Sequence, residues 1–338
     1  MTVVMPAGVA VARDLVGPAM ENAIARLSPE VRIVASYHLG LSDADGNPRR
    51  EGSGKALRPA LALLSARAAG APPERGVIPA VAVELVHNFS LLHDDIMDGD
   101  TERRHRPTAW TVYGVGAAIL AGDGLLALAN DMLLEDASPG GPWGARCLGA
   151  AVLRLIAGQG ADLAFERRGD VTLPECMDMA GDKTAALMAC ACTIGAVHLG
   201  APPELAMGLA GFGAHVGLAF QLTDDLLGIW GAPAVTGKPV RADLRARKKS
   251  LPVVAALGSE TPAAAELAEL LAKPEQLTED ELLHAADLVT QAGGRQWAES
   301  EADTQLAAAN KCLADIELPT DVRAEFTAIA EFITARQW

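Results

Sequence analysis

Residues 81–98 read VAVELVHNFSLLHDDIMD, a stretch without glycine or proline whose charge gathers at its C-terminal end. Such a run predicts a buried helix. At 3.6 residues per turn, Asp94 and Asp98 share a face one turn apart. His87 lies seven residues before Asp94 on the same stripe, and Asp95 is about 100° round. Three carboxylates placed there repel one another, and the helix dipole opposes negative charge at a C-terminus. The pattern therefore predicts a bound cation. Carboxylates one turn apart, with no cysteine and one nearby histidine, suit a hard divalent ion, and Mg²⁺ prefers a few carboxylates completed by water or phosphate. The plainer alternative is a solvated helix end with Arg103 and Arg104 as salt-bridge partners.

Of the 338 residues, 50% are hydrophobic and 21% charged, enough for one large core, and the net charge of −15 argues against a nucleic-acid partner. The basic residues are local clusters in an acidic protein, which suits a small anionic substrate held with metal. Cys147, Cys176, Cys190, Cys192 and Cys312 are scattered among apolar residues and read as reduced core positions of a cytoplasmic protein. Apolar runs are broken by charge, glycine or proline, so no membrane span is expected. The first residues carry no basic start, so no signal peptide is expected.

Alanine, leucine and glutamate dominate the long segments, and β-branched alternation is rare, so the whole chain is expected to be helical. An amphipathic helix over residues 10–40 is followed by a turn-rich loop, LSDADGNPRREGSG, and a helix over about 58–69. Lys55 and Arg58 at the mouth of that helix oppose its dipole, which a bound anion would explain. Further helices cover 115–135 and the stretch carrying Gln159 and Asp162, and Lys183-Thr184 opens another apolar run. Residues 217–251, GLAFQLTDDLLGIWGAPAVTGKPVRADLRARKKSL, repeat the first design. Gln221 precedes Asp224-Asp225 at the end of an apolar helix, and a loop leads to Lys238, Asp243, Lys248 and Lys249. Two apolar helices that each end in paired acids and a basic loop predict a cavity with metal and anion sites at its mouth.

With those motifs in order from Lys55 to Lys249, the chain resembles the trans-isoprenyl diphosphate synthases, the polyprenyl synthase family. HDDIMDGDTERRHRP resembles the first aspartate-rich motif of that family and FQLTDDLLG…GKP…D…KKSLP the second. The resemblance implies the all-α class I isoprenoid synthase fold, a large helical bundle around a central cavity, as one domain over residues 1–338. It also implies a homodimer. By resemblance Asp94 and Asp98 bind two Mg²⁺, supported by Asp95, and Asp224 binds a third. Arg103, Lys183 and Lys238 hold the allylic diphosphate, while Lys55, Arg58, His87 and Arg104 hold isopentenyl diphosphate. Gln159, Asp162, Thr184, Gln221, Asp243, Lys248 and Lys249 match positions that line or close the site. The implied reaction ionises the allylic diphosphate, and the isopentenyl double bond attacks the cation.

Gly228 stands where the second motif usually has a third aspartate, and His105 stands where glycine is common. Phe89 and Ser90, five and four residues before the first aspartate, correspond to the floor of the product pocket. By resemblance they imply geranylgeranyl diphosphate (C20), with farnesyl diphosphate (C15) second. The rivals are a class I terpene cyclase and a non-catalytic partner subunit on the same scaffold. A cyclase is expected to carry more than 4% aromatic residues. A phosphohydrolase built on His93-Asp94 would need further histidine ligands, and His38 and His215 lie in no such context.

Overall fold

The structure, a computed structural model, describes residues 5–49, 56–232 and 240–334. Helices follow in the order α1 (Ala7–Ile24), α2 (Pro29–His38), α3 (Leu57–Ala68), α4 (Val77–Met97), α5 (Ala109–Tyr113), α6 (Val115–Glu135), α7 (Gly141–Phe165) and α8 (Leu173–Ala180). They continue as α9 (Ala186–His198), α10 (Pro203–Trp230), α11 (Ala242–Arg245), α12 (Leu251–Leu257), α13 (Pro262–Leu271), α14 (Glu279–Gln291), α15 (Gly294–Ala314) and α16 (Thr320–Thr334). Among the described residues the strands are confined to one small hairpin, β1 (Glu102–Arg103) paired antiparallel with β2 (Arg106–Pro107). The fold is all-α, as expected.

The single helix expected over 10–40 is two. Ser28 is extended (φ −58°, ψ 153°) and Pro29 opens α2 at its first position. A proline forces the residue before it out of the helical region, so the break falls there.

The chain divides into two compact units. The first gathers Met1–Val152, Ala189–Ala210 and Leu313–Ile329. Within it α4 packs chiefly on α6 and α3; Val81, Leu85, Val86 and Leu92 of α4 are buried, as are Leu61 of α3 and Leu125 and Leu133 of α6. Each such side chain contributes roughly 1.5–3 kcal/mol on full burial. That packing fixes the acidic end of α4.

The second unit gathers Leu153–Met188, Gly211–Cys312 and Ala330–Trp338. Leu222 and Leu226 of α10 pack with Phe165, Cys176, Leu251 and Val254. Ile229, one turn further, packs with Val253, Leu267 and Leu288. The end of α10 is thus gripped on its apolar side, which fixes where Asp224 and Asp225 stand. Thr172 and Glu175 form a reciprocal capping box that starts α8.

On length and composition alone, four stretches are apolar enough to cross a membrane: Pro73–Met97, Val115–Glu135, Gly141–Phe165 and Pro203–Trp230. Two-thirds of the apolar window in the first is buried inside the protein. All five cysteines are free; Cys176, Cys190 and Cys192 are buried, and Cys147 and Cys312 partly so.

Candidate active site

In the first unit, α4 ends where Asp98 N–H donates to the Asp94 carbonyl at 2.8 Å. The two carboxylates therefore stand one turn apart, Asp94 half-buried and Asp98 exposed. Asp95 points elsewhere: it is 1% exposed, and its Oδ1 accepts from Arg103 Nε at 2.6 Å. Burial pushes the Asp95 carboxyl upward, against the pull of Arg103. Its Oδ2 finds no partner among the described residues.

Arg103 reaches Asp95 because the chain reverses tightly after α4. Arg104 and His105 occupy the hairpin tip with φ +53° and +61°. Two successive left-handed residues make the turn that matches strand twist, which favours glycine or asparagine. This accounts for His105, left unexplained by its sequence: it holds a turn position glycine would fill without strain, with its side chain in solvent. Arg106, on the far strand, donates to the Tyr37 and Ser42 carbonyls at 3.3 and 3.1 Å and stacks 4.3 Å from the Tyr37 ring centroid. A cavity of about 90 Å³ opens beside the hairpin, lined by His38, Asp95, Arg103, Arg104 and Arg106 among others. Sequence reasoning missed Arg106 and Tyr37; the run Arg103–Arg106 was legible, but not which of its members face inward.

Arg58 and His87 meet, with Arg58 Nη1 donating to His87 Nε2 at 3.4 Å. Burial, then Arg58, Arg104 and Arg103, hold the His87 imidazolium far below its ordinary pKa, so the ring accepts as a neutral base. Burial likewise lowers the Arg58 pKa and raises that of Glu84. Arg58 Nε is buried with no partner among the described residues. Guanidinium groups gathered round a neutral histidine suit a diphosphate. Lys55 lies outside the described residues.

Phe89 is buried, its ring edge-on to His93 at 4.9 Å between centroids. The Ser90 hydroxyl donates to the His87 carbonyl at 2.8 Å. His93 Nε2 donates to the Ile119 carbonyl at 3.1 Å and lies over Gly122, where a Cβ would come within 2.3 Å of it. His93 is therefore a packed residue between α4 and α6.

In the second unit the helical chain at Lys183 is wound as a single π turn, Gly181–Ala185, a distortion common at functional sites. It presents Lys183 Nζ to Asp162 Oδ2 at 2.5 Å and Thr184 Oγ1 to Gln221 Oε1 at 2.6 Å. Gln221 Nε2 passes the chain on to Asp225 Oδ1 at 2.8 Å, and Leu251 N–H donates to Asp225 Oδ2 at 2.9 Å. Asp225 is thus a buried bracket, its pKa pushed up to about 6 by burial. Asp224 is exposed. Lys248 Nζ lies 3.7 Å from Asp225 Oδ1. Burial disfavours its charge, but Asp225, Asp243, Asp162 and Asp224 outweigh that and raise its pKa. Gln159 is buried with neither amide atom partnered among the described residues. Lys249, half-buried, gives its carbonyl to the Cys176 thiol at 3.2 Å. Lys238 lies outside the described residues.

Among the described residues no three histidine, cysteine or acidic side chains are gathered closely enough to hold a metal ion by themselves. Mg²⁺ does not require that, since it binds through one or two carboxylates with waters and substrate phosphates. Asp94 and Asp98 at the end of α4 are hard oxygen donors of that kind; in the second unit, so is the exposed Asp224.

Residues 50–289 match the model of the Polyprenyl synthetase family. A (2E,6E)-farnesyl diphosphate synthase of Mycobacterium tuberculosis is 47% identical over 96% of this chain and 92% of its own length. The crystal structure of a polyprenyl synthetase from Streptomyces coelicolor superposes with a TM-score of 0.93 at 50% identity, covering 97% of this chain and 98% of the other. A geranylgeranyl pyrophosphate synthase from Corynebacterium glutamicum, solved with isoprenyl diphosphate and magnesium, gives a TM-score of 0.82 at 27% identity over 99% and 100% of the two chains. Motifs, helical architecture and relatives over nearly the whole length agree: the chain belongs to the polyprenyl synthetase family and is a prenyltransferase.

Proposed function

We propose that this protein condenses isopentenyl diphosphate head-to-tail with an allylic diphosphate, working as a single synthase domain. The observation that carries the reading is the Arg58–His87 pair, with Arg104 beside it. A cyclase handles one diphosphate and has no use for a second buried cationic site. Arg58, His87 and Arg104 bind the diphosphate of isopentenyl diphosphate, with Lys55 as a further ligand. Arg103 and Lys183 bind the allylic diphosphate, with Lys238. Asp95 fixes Arg103 by its Nε and leaves both terminal nitrogens to the substrate; Asp162 fixes Lys183. Asp94 and Asp98, and in the second unit Asp224, would hold Mg²⁺, three ions in all, which would supply positive charge as pyrophosphate departs.

Ser90 adds no bulk to the product pocket, and its hydroxyl is turned back on its own helix. This supports a C20 product. Phe89, packed edge-on against His93, and the 47% identity to a farnesyl diphosphate synthase favour C15 as the second reading. We also propose a homodimer, since α6 exposes Val115, Ile119, Leu120 and Leu134, an apolar set that monomers seldom leave in water.

The protein is to be incubated with Mg²⁺, isopentenyl diphosphate and, separately, the C5, C10 and C15 allylic diphosphates. Products are dephosphorylated and sized by gas chromatography–mass spectrometry. A C20 or C15 alcohol that forms only with isopentenyl diphosphate supports the reading. Hydrocarbons from an allylic diphosphate alone would make the protein a cyclase.

A further inference from the structure

We propose that Arg154 is a positioning residue for the allylic diphosphate, acting through the π turn that carries Lys183. The inference rests on the prenyltransfer reading, in which Lys183 binds that diphosphate.

The turn Gly181–Ala185 joins two helices that are each anchored in the core. Cys176, Met179 and Ala180 before it pack with Leu222 and Leu226, and Ala186, Leu187 and Met188 after it are buried. Relaxing the turn to plain α-helix would rotate one flank against the other by about 100°. Packing on both sides therefore confines the extra residue to 181–185, and Lys183 and Thr184 take their directions from it.

α7 meets the turn along one stripe, residues 154, 158 and 162, each one helical turn from the next. At the middle position the backbones touch: a Cβ on Gly158 would lie 2.3 Å from the Lys183 nitrogen and 2.7 Å from its Cα. On one side Asp162 accepts from Lys183 Nζ at 2.5 Å. On the other, Arg154 donates from Nε to Asp182 Oδ1 at 2.7 Å and from Nη2 to the Gly181 carbonyl at 3.3 Å. That carbonyl also accepts from Ala186 N–H, five residues on, the bond that defines the turn. From α10, Gly217 admits the end of the turn, since a Cβ there would lie 2.5 Å from Ala185 Cα. One guanidinium thus grips both the carbonyl that sets the π winding and the side chain next to Lys183. The Arg154 side chain is 53% exposed, and exposed ion pairs contribute little to stability. What Arg154 supplies is direction: it fixes how Lys183 leaves the helix.

The test compares the parent chain with Arg154→Ala, Asp182→Ala and the double variant. Steady-state constants are measured for each substrate with the other saturating, beside thermal melts. Arg154→Ala is expected to raise KM for the allylic diphosphate about tenfold, the order of loss when a binding group is displaced by less than an ångström. KM for isopentenyl diphosphate and the melting temperature should stay near the parent's. The double variant should match the worse single variant, because both side chains act through one turn. An unchanged allylic KM, equal rises in both KM values, single effects that multiply in the double variant, or a marked fall in melting temperature would each overturn the role of Arg154 while leaving prenyltransfer intact. A parent that forms no prenyl product would overturn the prenyltransfer reading and this role with it.

Discussion

Arg103 Nε lies 2.6 Å from Oδ1 of Asp95, a carboxylate that is 1% exposed at the end of α4. The middle acid of the first motif is thereby committed to the protein. Removing Arg103 strands a buried charge, whereas removing the exposed Arg104 does not. Arg103→Ala is expected to destabilise the fold by about 1–3 kcal/mol, less than a fully buried pair because Arg103 is partly solvated. Arg104→Ala should stay within about 0.5 kcal/mol. Urea unfolding of the two variants checks the contrast; equal losses would remove Asp95 from its bracketing role.

His38 and His87 are both held neutral. Burial, followed by the charges of Arg104 and Arg103, pushes the His38 pKa down to about 3; burial and then Arg58 lower that of His87. The unfolded chain binds protons at these groups near the ordinary value of 6.5, and the folded chain does not. Their stabilising neutral state is therefore fully present above pH 6.5 and is lost progressively as pH falls below it, for His38 down towards about 3. Each group contributes a slope of at most about 1.4 kcal/mol per pH unit in that window. Denaturant midpoints between pH 7.5 and 5 should fall, and His38→Gln should flatten the dependence. An unchanged slope in that variant would count against the buried neutral histidine.

Gly122→Ala is expected to cost about 1–3 kcal/mol, because the new methyl group collides with the His93 ring that α4 lays across α6. Adding His93→Ala should recover part of that loss. Melting temperatures of the two single variants and the pair test the coupling; strict additivity would mean the ring moves aside freely.

Phe89→Ala should lengthen the product and Ser90→Phe should shorten it, with total turnover changed less than the product ratio. Product sizing by mass spectrometry reads this directly. A product length indifferent to both substitutions would place the pocket floor elsewhere.

The helical class was legible because apolar runs such as 81–98 and 115–135 are long and rarely broken, and the latter matches α6 residue for residue. The acids at the ends of α4 and α10 were legible for the same reason, since helix spacing places them. What hid was non-local. The partition of 10–40 hung on one proline whose effect competes with strong flanking periodicity. The hairpin tip at Arg104-His105 lacks the asparagine and glycine that advertise such turns. The close approach of Asp243 to Gly228 joins positions fifteen residues apart, and helix spacing alone does not predict it.

The hairpin after α4 also works as a sorting device. Four consecutive basic positions, Arg103 to Arg106, would form one undifferentiated patch on an open loop. The reversal at 104–105 sends the first and last inward as fasteners, to Asp95 and to the Tyr37 and Ser42 carbonyls, and leaves the middle two outward. Which arginines are anchored to the protein is thus written in the phase of the turn. Insertion of one uncharged residue there would conserve every charge and still scramble their assignments.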